Sequence, residues 1–430
     1  MRGIPASLLF IGLCGCLAMS SRAQSQGASP TPATTAPALG AAAPLTLAQV
    51  LDLAHRNSPT LVSGARHLDA VRAEEITAGL RQNPVGVFGS QLVTEPADAN
   101  NPYFYSAGVS RLFERGNKRA IRLDEARSTT QLTSLQLDDE RRQTDLAIRQ
   151  AFSRMLFAED ALGISRANLE SYRKTVGLTK VRLDAGAIDQ TDFDRVELQL
   201  AGFESDLDNA ELALRQASIA LQTLIGITRP AESFAISGAL DPPQIAQTLE
   251  ELRAAALANR PDLKAAQAQV EVNQAAVRLA IANGTADPTL EGDYERSGDA
   301  NTFGASINIP LRLFDRNQGE KQRASYELES GRLALTAAQN QVIADVDSAW
   351  AAYTAAQAQA ERYRAKYLGE AAHVRDNLEF SYRNGSSTLL DYLSALSDYR
   401  QVNLTSLNAR LNLLLALEQL SYVTNTEIIP

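Results

Sequence analysis

Few residues in this chain could do covalent or metal chemistry. Three histidines, His55, His67 and His373, are scattered through 430 residues. A zinc or catalytic set needs several ligands brought together, and these are too few and too dispersed. Both cysteines, Cys14 and Cys16, lie close to the N-terminus, so the rest of the chain has neither a disulfide nor a thiolate ligand. Met1 and Met19 share that N-terminal stretch and leave Met155, which excludes a soft-metal relay in the rest of the chain. No glycine-rich phosphate loop is present. The expectation is a protein that is not an enzyme, with no cofactor and no bound metal. What remains is carboxylate chemistry. Glu291, Asp293 and Glu295 alternate within PTLEGDYERS, and Asp192 and Asp391 each follow a glycine-bearing turn. Carboxylates placed this way attract cations through water without ligating them.

The elements carrying these carboxylates are of two kinds. In TFGASINIPL, Phe303, Ala305, Ile307, Ile309 and Leu311 alternate with Thr302, Gly304, Ser306 and Asn308. YFYSAGVS puts Tyr103, Tyr105, Ala107 and Val109 on one face and Ser106, Gly108 and Ser110 on the other. PTLEGDYERS sets Leu290 and Tyr294 opposite Glu291, Asp293 and Glu295, and PVGVFGSQLV alternates more weakly. A period of two suits strands with one face in lipid and one in water. A soluble antiparallel sheet fits the same alternation. The links PADANNP and SGDAN are turn-rich, so the four segments form two hairpins.

The second kind is helical. Ile148, Met155, Leu162, Leu169, Val176 and Leu183 recur at every seventh position. After DAGAID, a 3,4 spacing runs from Phe193 through Val196, Leu200 and Phe203 to Leu224. Such repeats predict left-handed supercoiling about a narrow seam. Gly186 marks a helix end. The pattern predicts an antiparallel hairpin over residues 118–183 and 191–224, repeated over 318–382 and 389–423 with Gly385 in its turn. A helix of about 65 residues reaches ~100 Å, longer than any ordinary compact domain. Pro59 and Pro261 suit first helical positions.

The chain is duplicated. TLAQVLDLAHRNSPTL answers to TLEELRAAALANRPDL, and RLFERGNKRA to RLFDRNQGEK, with Leu61 matching Leu263 and Phe113 matching Phe314. A period of about 200 residues is too long for a solenoid, whose units run roughly 20–50 residues. The expected order is a signal peptide over 1–23, a flexible lead-in over 24–44, a first repeat over 45–226, a connection over 227–246 and a second repeat over 247–430. Strand pairs fall at about 84–113 and 287–313. Arg2 followed by IPASLLFIGLCGCLAM reads as a secretory leader cut after Ala23. LCGC also allows lipidation at Cys16. Net charge is −9, which argues against nucleic acid as a partner.

Four strands cannot close a barrel, and an open edge in lipid leaves costly unpaired backbone. Several chains must therefore share one barrel if the strands span a membrane, and the helices can then wall a continuous tube. With duplicated hairpins, LFDRNQG, LDAGAIDQTDF and YRNGSSTLLDYLSA, the sequence resembles the TolC-type outer-membrane efflux channels over nearly its whole length after the lead-in. The resemblance implies an α+β membrane channel: a homotrimer with a twelve-stranded barrel and a periplasmic tunnel of coiled-coil helices. It implies a periplasmic membrane-fusion adaptor and an inner-membrane RND-type pump as partners. RLFERGNKRA and PLRLFDRNQG resemble the branch serving cobalt–zinc–cadmium pumps, although Asn117 stands where that branch usually has a second glycine. Multidrug or solvent efflux and type I protein export remain alternatives, as does a periplasm-spanning scaffold without transport. Against the scaffold, Glu291, Asp293 and Glu295 favour a wet lumen. The family narrows its periplasmic end with a tyrosine, acidic residues and interhelix polar bonds, and the matching positions are Thr191, Asp192, Tyr382 and Asp391. Ser387 stands where well-known members have a helix-linking arginine, and Ser394 where a second acidic residue often lies. The tips, Gly186, Ala187 and Ile188 with Gly385, Ser386 and Ser387, are the implied adaptor contacts. On residue type alone, Asp192 and Asp391 also suit the positive dipole end of a helix.

Overall fold

A computed structural model describes residues 44–92, 103–243 and 245–428. Cys14, Cys16, the cleavage position after Ala23, the lead-in through residue 43 and the PADANNP link lie outside the described residues. Two repeats follow one another. The first is α1 (Leu47–Asn57), α2 (Pro59–Gly79), β1 (Val85–Leu92), β2 (Tyr103–Leu112), α3 (Lys118–Asp184) and α4 (Gln190–Leu224). The second is α5 (Leu249–Asn259), α6 (Pro261–Asn283), β3 (Thr289–Ser297), β4 (Ala300–Asn308), α7 (Gln318–Arg362), a π-helical turn (Tyr363–Tyr367), α8 (Leu368–Arg383) and α9 (Leu389–Thr424).

The duplication is written into the helix ends. Thr46 and Thr248 each close a capping box, and Pro59 and Pro261 each open the next helix. Asn117 and Asn317 precede α3 and α7 in left-handed conformations, φ 58° and 62°. Asparagine is the non-glycine residue that tolerates this region best. Asn117 therefore holds this turn without a glycine at that position. Gly186 and Gly385 turn the two hairpins at φ 74° and 75°.

The helical seams carry the packing. Ile148, Met155, Leu162 and Leu169 are buried on α3, and Val196, Phe203 and Leu221 on α4. The midsection of α3 joins α1, the end of α4, residues 234–240 and α9 in one core. A second core joins α5, α7 and α9, and a third lies near the turns. At 67 residues, α3 carries the chain ~100 Å from the sheet to the turns. No helix among the described residues is long and apolar enough to cross a membrane.

Two expectations need correction. The helix expected over 318–382 runs on to Arg383 with helical backbone at both junctions, but a π turn at Tyr363–Tyr367 interrupts its α-type hydrogen bonding, whereas α3 is α-helical throughout. Its apolar spacing gives no warning, and Gly369 just beyond the π turn is no clear mark, since Gly163 and Gly177 sit in α3 without one. The alternation also overran the last strand. β4 ends at Asn308, so Ile309 and Leu311 lie beyond it. Pro310 has no N–H to continue a ladder.

Candidate functional site: the sheet face and the hairpin turns

All four strands pair antiparallel in the order β1-β2-β3-β4, so β1 and β4 are edges within this chain. The register aligns Phe88 with Ala107, Ala107 with Tyr294, and Tyr294 with Phe303. One face therefore carries Phe88, Leu92, Tyr103, Tyr105, Val109, Leu290, Tyr294, Phe303 and Ile307. Phe88 is 83% and Phe303 82% exposed. So much bare aromatic surface is out of place in water. The other face carries Ser106, Gly108, Ser110, Thr302, Gly304 and Ser306 beside Glu291, Asp293 and Glu295. Asn308 donates to Glu291 Oε2 at 3.3 Å. The three predicted carboxylates thus share one polar face, opposite the apolar one.

The sheet is tied to the helices by a buried charge. Lys118, 5% exposed at the start of α3, donates to the Thr285 carbonyl at 2.7 Å and to Asp287 Oδ2 at 2.5 Å. Arg115 N–H donates to Asp287 Oδ1 at 2.8 Å. These bonds fix the entry to β3 against the first repeat, so both hairpins leave the helices as a unit. This clasp is not legible in the sequence, because Lys118 and Asp287 are far apart in the chain.

At the far end, each predicted residue has a definite place. Gly186, Ala187, Gly385 and Ser386 are exposed, and Ile188 and Ser387 half-buried. No atom lies near enough to crowd a Cβ added at Gly186 or Gly385. Thr191 is exposed in the first turn of α4. Asp192 sits in the same turn, its N–H donating to Asp189 Oδ1 at 2.8 Å and its carboxylate 3.7 Å from Arg195. Asp391 completes a capping box: its Oδ2 accepts from Thr388 Oγ1 at 2.6 Å and from Thr388 N–H at 3.2 Å. Each aspartate is therefore bound into the start of its own helix. Among the described residues, no hydrogen bond joins the two. Ser394 is exposed on α9.

Tyr382 is one of the residues that join the hairpins. It is 4% exposed, stacked on Tyr392 with ring centroids 5.5 Å apart and 7° between planes. Arg182 of α3 lies over the Tyr382 ring at 4.7 Å and donates to its carbonyl at 3.2 Å. Thr175 and Tyr392 share a hydroxyl contact of 3.0 Å, and burial pushes the Tyr392 phenol above its ordinary range. The Tyr382 hydroxyl is buried without a partner. Higher up, Arg400 of α9 pairs with Asp206 of α4 at 2.8 Å. Sequence reasoning found Tyr382 and missed Arg182, Thr175, Tyr392 and Arg400. Arg182 had one legible signal, a cation in the last turn of its helix.

A model of the outer membrane efflux protein family matches residues 50–227 and 252–426. The cobalt-zinc-cadmium resistance protein CzcC of Cupriavidus metallidurans is 28% identical over 306 residues, 69% of this chain and 71% of that protein. The outer membrane protein TolC of Vibrio cholerae is 23% identical over 405 residues, 88% of this chain and 90% of that protein. Among solved structures, that of CusC superposes with a TM-score of 0.75 at 16% identity, covering 88% of this chain and 91% of that one.

Proposed function

The chain belongs to the outer membrane efflux protein family and is an outer-membrane efflux channel; from that premise we propose that three copies close one twelve-stranded barrel over a helical tunnel. The observation that carries this reading is the sheet: four strands, two bare edges, one aromatic face and one acidic face. Four strands are about half of what a closed barrel needs, and lipid does not tolerate unpaired backbone. Pairing β4 of one copy with β1 of the next satisfies both edges and turns Glu291, Asp293 and Glu295 into the lining. A periplasmic membrane-fusion adaptor meets the turns around Gly186 and Gly385, and an inner-membrane RND-type pump loads the tunnel.

Heavy-metal cations are the substrate class this reading favours, supported by the likeness to CzcC and by the acidic sheet face. Among the described residues, no three His, Cys, Asp or Glu side chains are grouped to hold a metal ion. The cations therefore pass hydrated, concentrated by the field of the carboxylates. Thr191, Asp192, Tyr382 and Asp391 form the narrow periplasmic end. Native mass spectrometry of the detergent-solubilised protein should show a trimer, and a stable folded monomer would contradict barrel sharing.

A further inference from the structure

Away from the sheet and the turns, one acidic side chain is buried where the repeats meet. Glu418 of α9 is 3% exposed. Ser153 of α3 donates to its Oε1 at 2.5 Å, while its Oε2 has no partner. The Ser421 hydroxyl is also buried without a partner. Three residues apart on a helix, Glu418 and Ser421 are neighbours on one side of α9. Both line a cavity of about 570 Å³ between α3, the start of α6 and the end of α9. Arg149 and Lys264 line it too. Among the described residues, neither of these cations has a side-chain ion pair.

Most of the other charged groups around Glu418 are already engaged. On α3, Arg141 pairs with Asp138, Arg142 with Asp139 and Asp262, and Asp145 with His55 of α1. Arg154 of α3 adds a positive field from the same helix. On the α7 side, Asp345 is held by Arg260, and Asp347 by Arg253. Glu427 lies beyond the end of α9, at the cavity rim. Near Glu418 on α3, the helix that faces it, Arg149 and Arg154 are thus the cations without an ion pair among the described residues, and of the two Arg149 lines the cavity.

We propose that Glu418 is a proton-binding site coupling the α3–α9 packing to the pH around the helices: protonated, it stays seated against Ser153; ionised, it turns into the cavity toward Arg149 and water, and the seam loosens. The physical reason is the single hydrogen bond. An ionised carboxylate has room for several donors, and here one hydroxyl serves it. Leaving it buried in that state is costly, whereas the cavity offers a cation and space for water. Burial pushes this carboxyl up to about 7, with Ser153, Arg149 and Arg154 drawing it only part of the way back. The sign follows from the raised value. The stabilisation of the seam is fully present below the ordinary glutamate range near 4.5 and is lost as pH rises through about 7.

Hydrogen exchange of the purified full-length protein in detergent tests this, read on peptides covering 148–156 and 414–424 and corrected for the intrinsic pH dependence. Linkage predicts that seam opening rises about tenfold between pH 5.5 and 7 and then levels off. Glu418→Gln should hold the acid-form protection at every pH. Arg149→Gln should move the rise to higher pH, since it removes the charge that favours ionisation. His55→Gln should leave the rise in place. A corrected protection that is flat across pH 5.5–8 in the parent overturns the proposal. So does a rise that survives Glu418→Gln or vanishes with His55→Gln, which would assign it to the His55–Asp145 pair. If Glu418→Gln does not fold, Arg149→Gln decides: an unmoved midpoint overturns the proposal.

Discussion

The two repeats share their backbone punctuation and differ in the side chains that join them. Capping threonines, helix-opening prolines, left-handed asparagines and turn glycines recur at matching places. The grips between repeats do not recur. Arg182 of the first hairpin holds Tyr382 of the second. Lys118 of the first repeat holds Asp287 of the second. Only the second repeat carries a π turn in its long helix. Local rules of helix ends therefore set an architecture that both halves obey. Contacts across the repeat boundary break the symmetry, and there each half needs its own residues.

One contrast falls just before the helix-opening prolines. Ser58 and Arg260 hold equivalent positions and both are buried, at 4% and 5% exposure. Ser58 makes no side-chain cap bond. Arg260 bonds to Asp262 at 2.6 Å and to Asp345 at 2.9 Å, pinning α6 to α7. Arg260→Ala leaves half-buried Asp345 without a cation and Asp262 with Arg142 alone, and should cost about 2–3 kcal/mol. Ser58→Ala should cost about 0.5 kcal/mol or less. Thermal unfolding of the two variants in detergent checks this, and equal losses would erase the proposed asymmetry.

A second contrast lies at the ends of the returning helices. Gly226 after α4 and Asn425 after α9 both have positive φ, 83° and 48°. A Cβ on Gly226 would stand 2.5 Å from the Asn57 carbonyl oxygen. Asn425 instead donates its side-chain amide to the Asn259 carbonyl at 3.2 Å. The same junction is thus made by close approach in one repeat and by a hydrogen bond in the other. Gly226→Ala adds overpacking to left-handed strain and should cost about 2–4 kcal/mol. Asn425→Gly loses one bond and should cost about 1 kcal/mol. Denaturant unfolding that reverses this order would show that the two junctions are not equivalent in load.

Legibility follows the same divide. The helical hairpins, their turns and the two-faced strands could be read because periodicity and turn residues are local signals. Tyr382 and the aspartates were found through motifs adjoining those turns. Arg182, Lys118 and Glu418 were not found, since each acts through a partner more than a hundred residues away, and beyond the last-turn charge of Arg182 nothing in their neighbourhoods marks them. The end of β4 was misplaced for a local reason that was visible, the missing N–H of Pro310. The π turn had an ambiguous sign, Gly369 just beyond it, because α3 holds Gly163 and Gly177 without a break.

The smallest expected effects, and the sharpest test of the turns, concern Asp192 and Asp391. Both begin returning helices, where a carboxylate gains about 0.3–1 kcal/mol from the helix dipole. Asp391 also receives two bonds from Thr388. Asparagine keeps an acceptor there, so Asp391→Asn should preserve the helix start and remove only the charge. In a three-fold assembly that charge becomes a ring of three at the proposed narrow end. Asp391→Asn should therefore lower cation preference in planar bilayers and blunt any block by multivalent cations. Its effect should fade in 1 M salt, where the Debye length is roughly 3 Å. Tyr382→Ala should raise basal conductance by a second route: it removes the ring under Arg182 and the stack on Tyr392, so the hairpins lose their clasp. If both variants conduct and select like the parent, the aspartate serves its capping box alone, the tyrosine serves packing alone, and the constriction lies elsewhere in the tunnel.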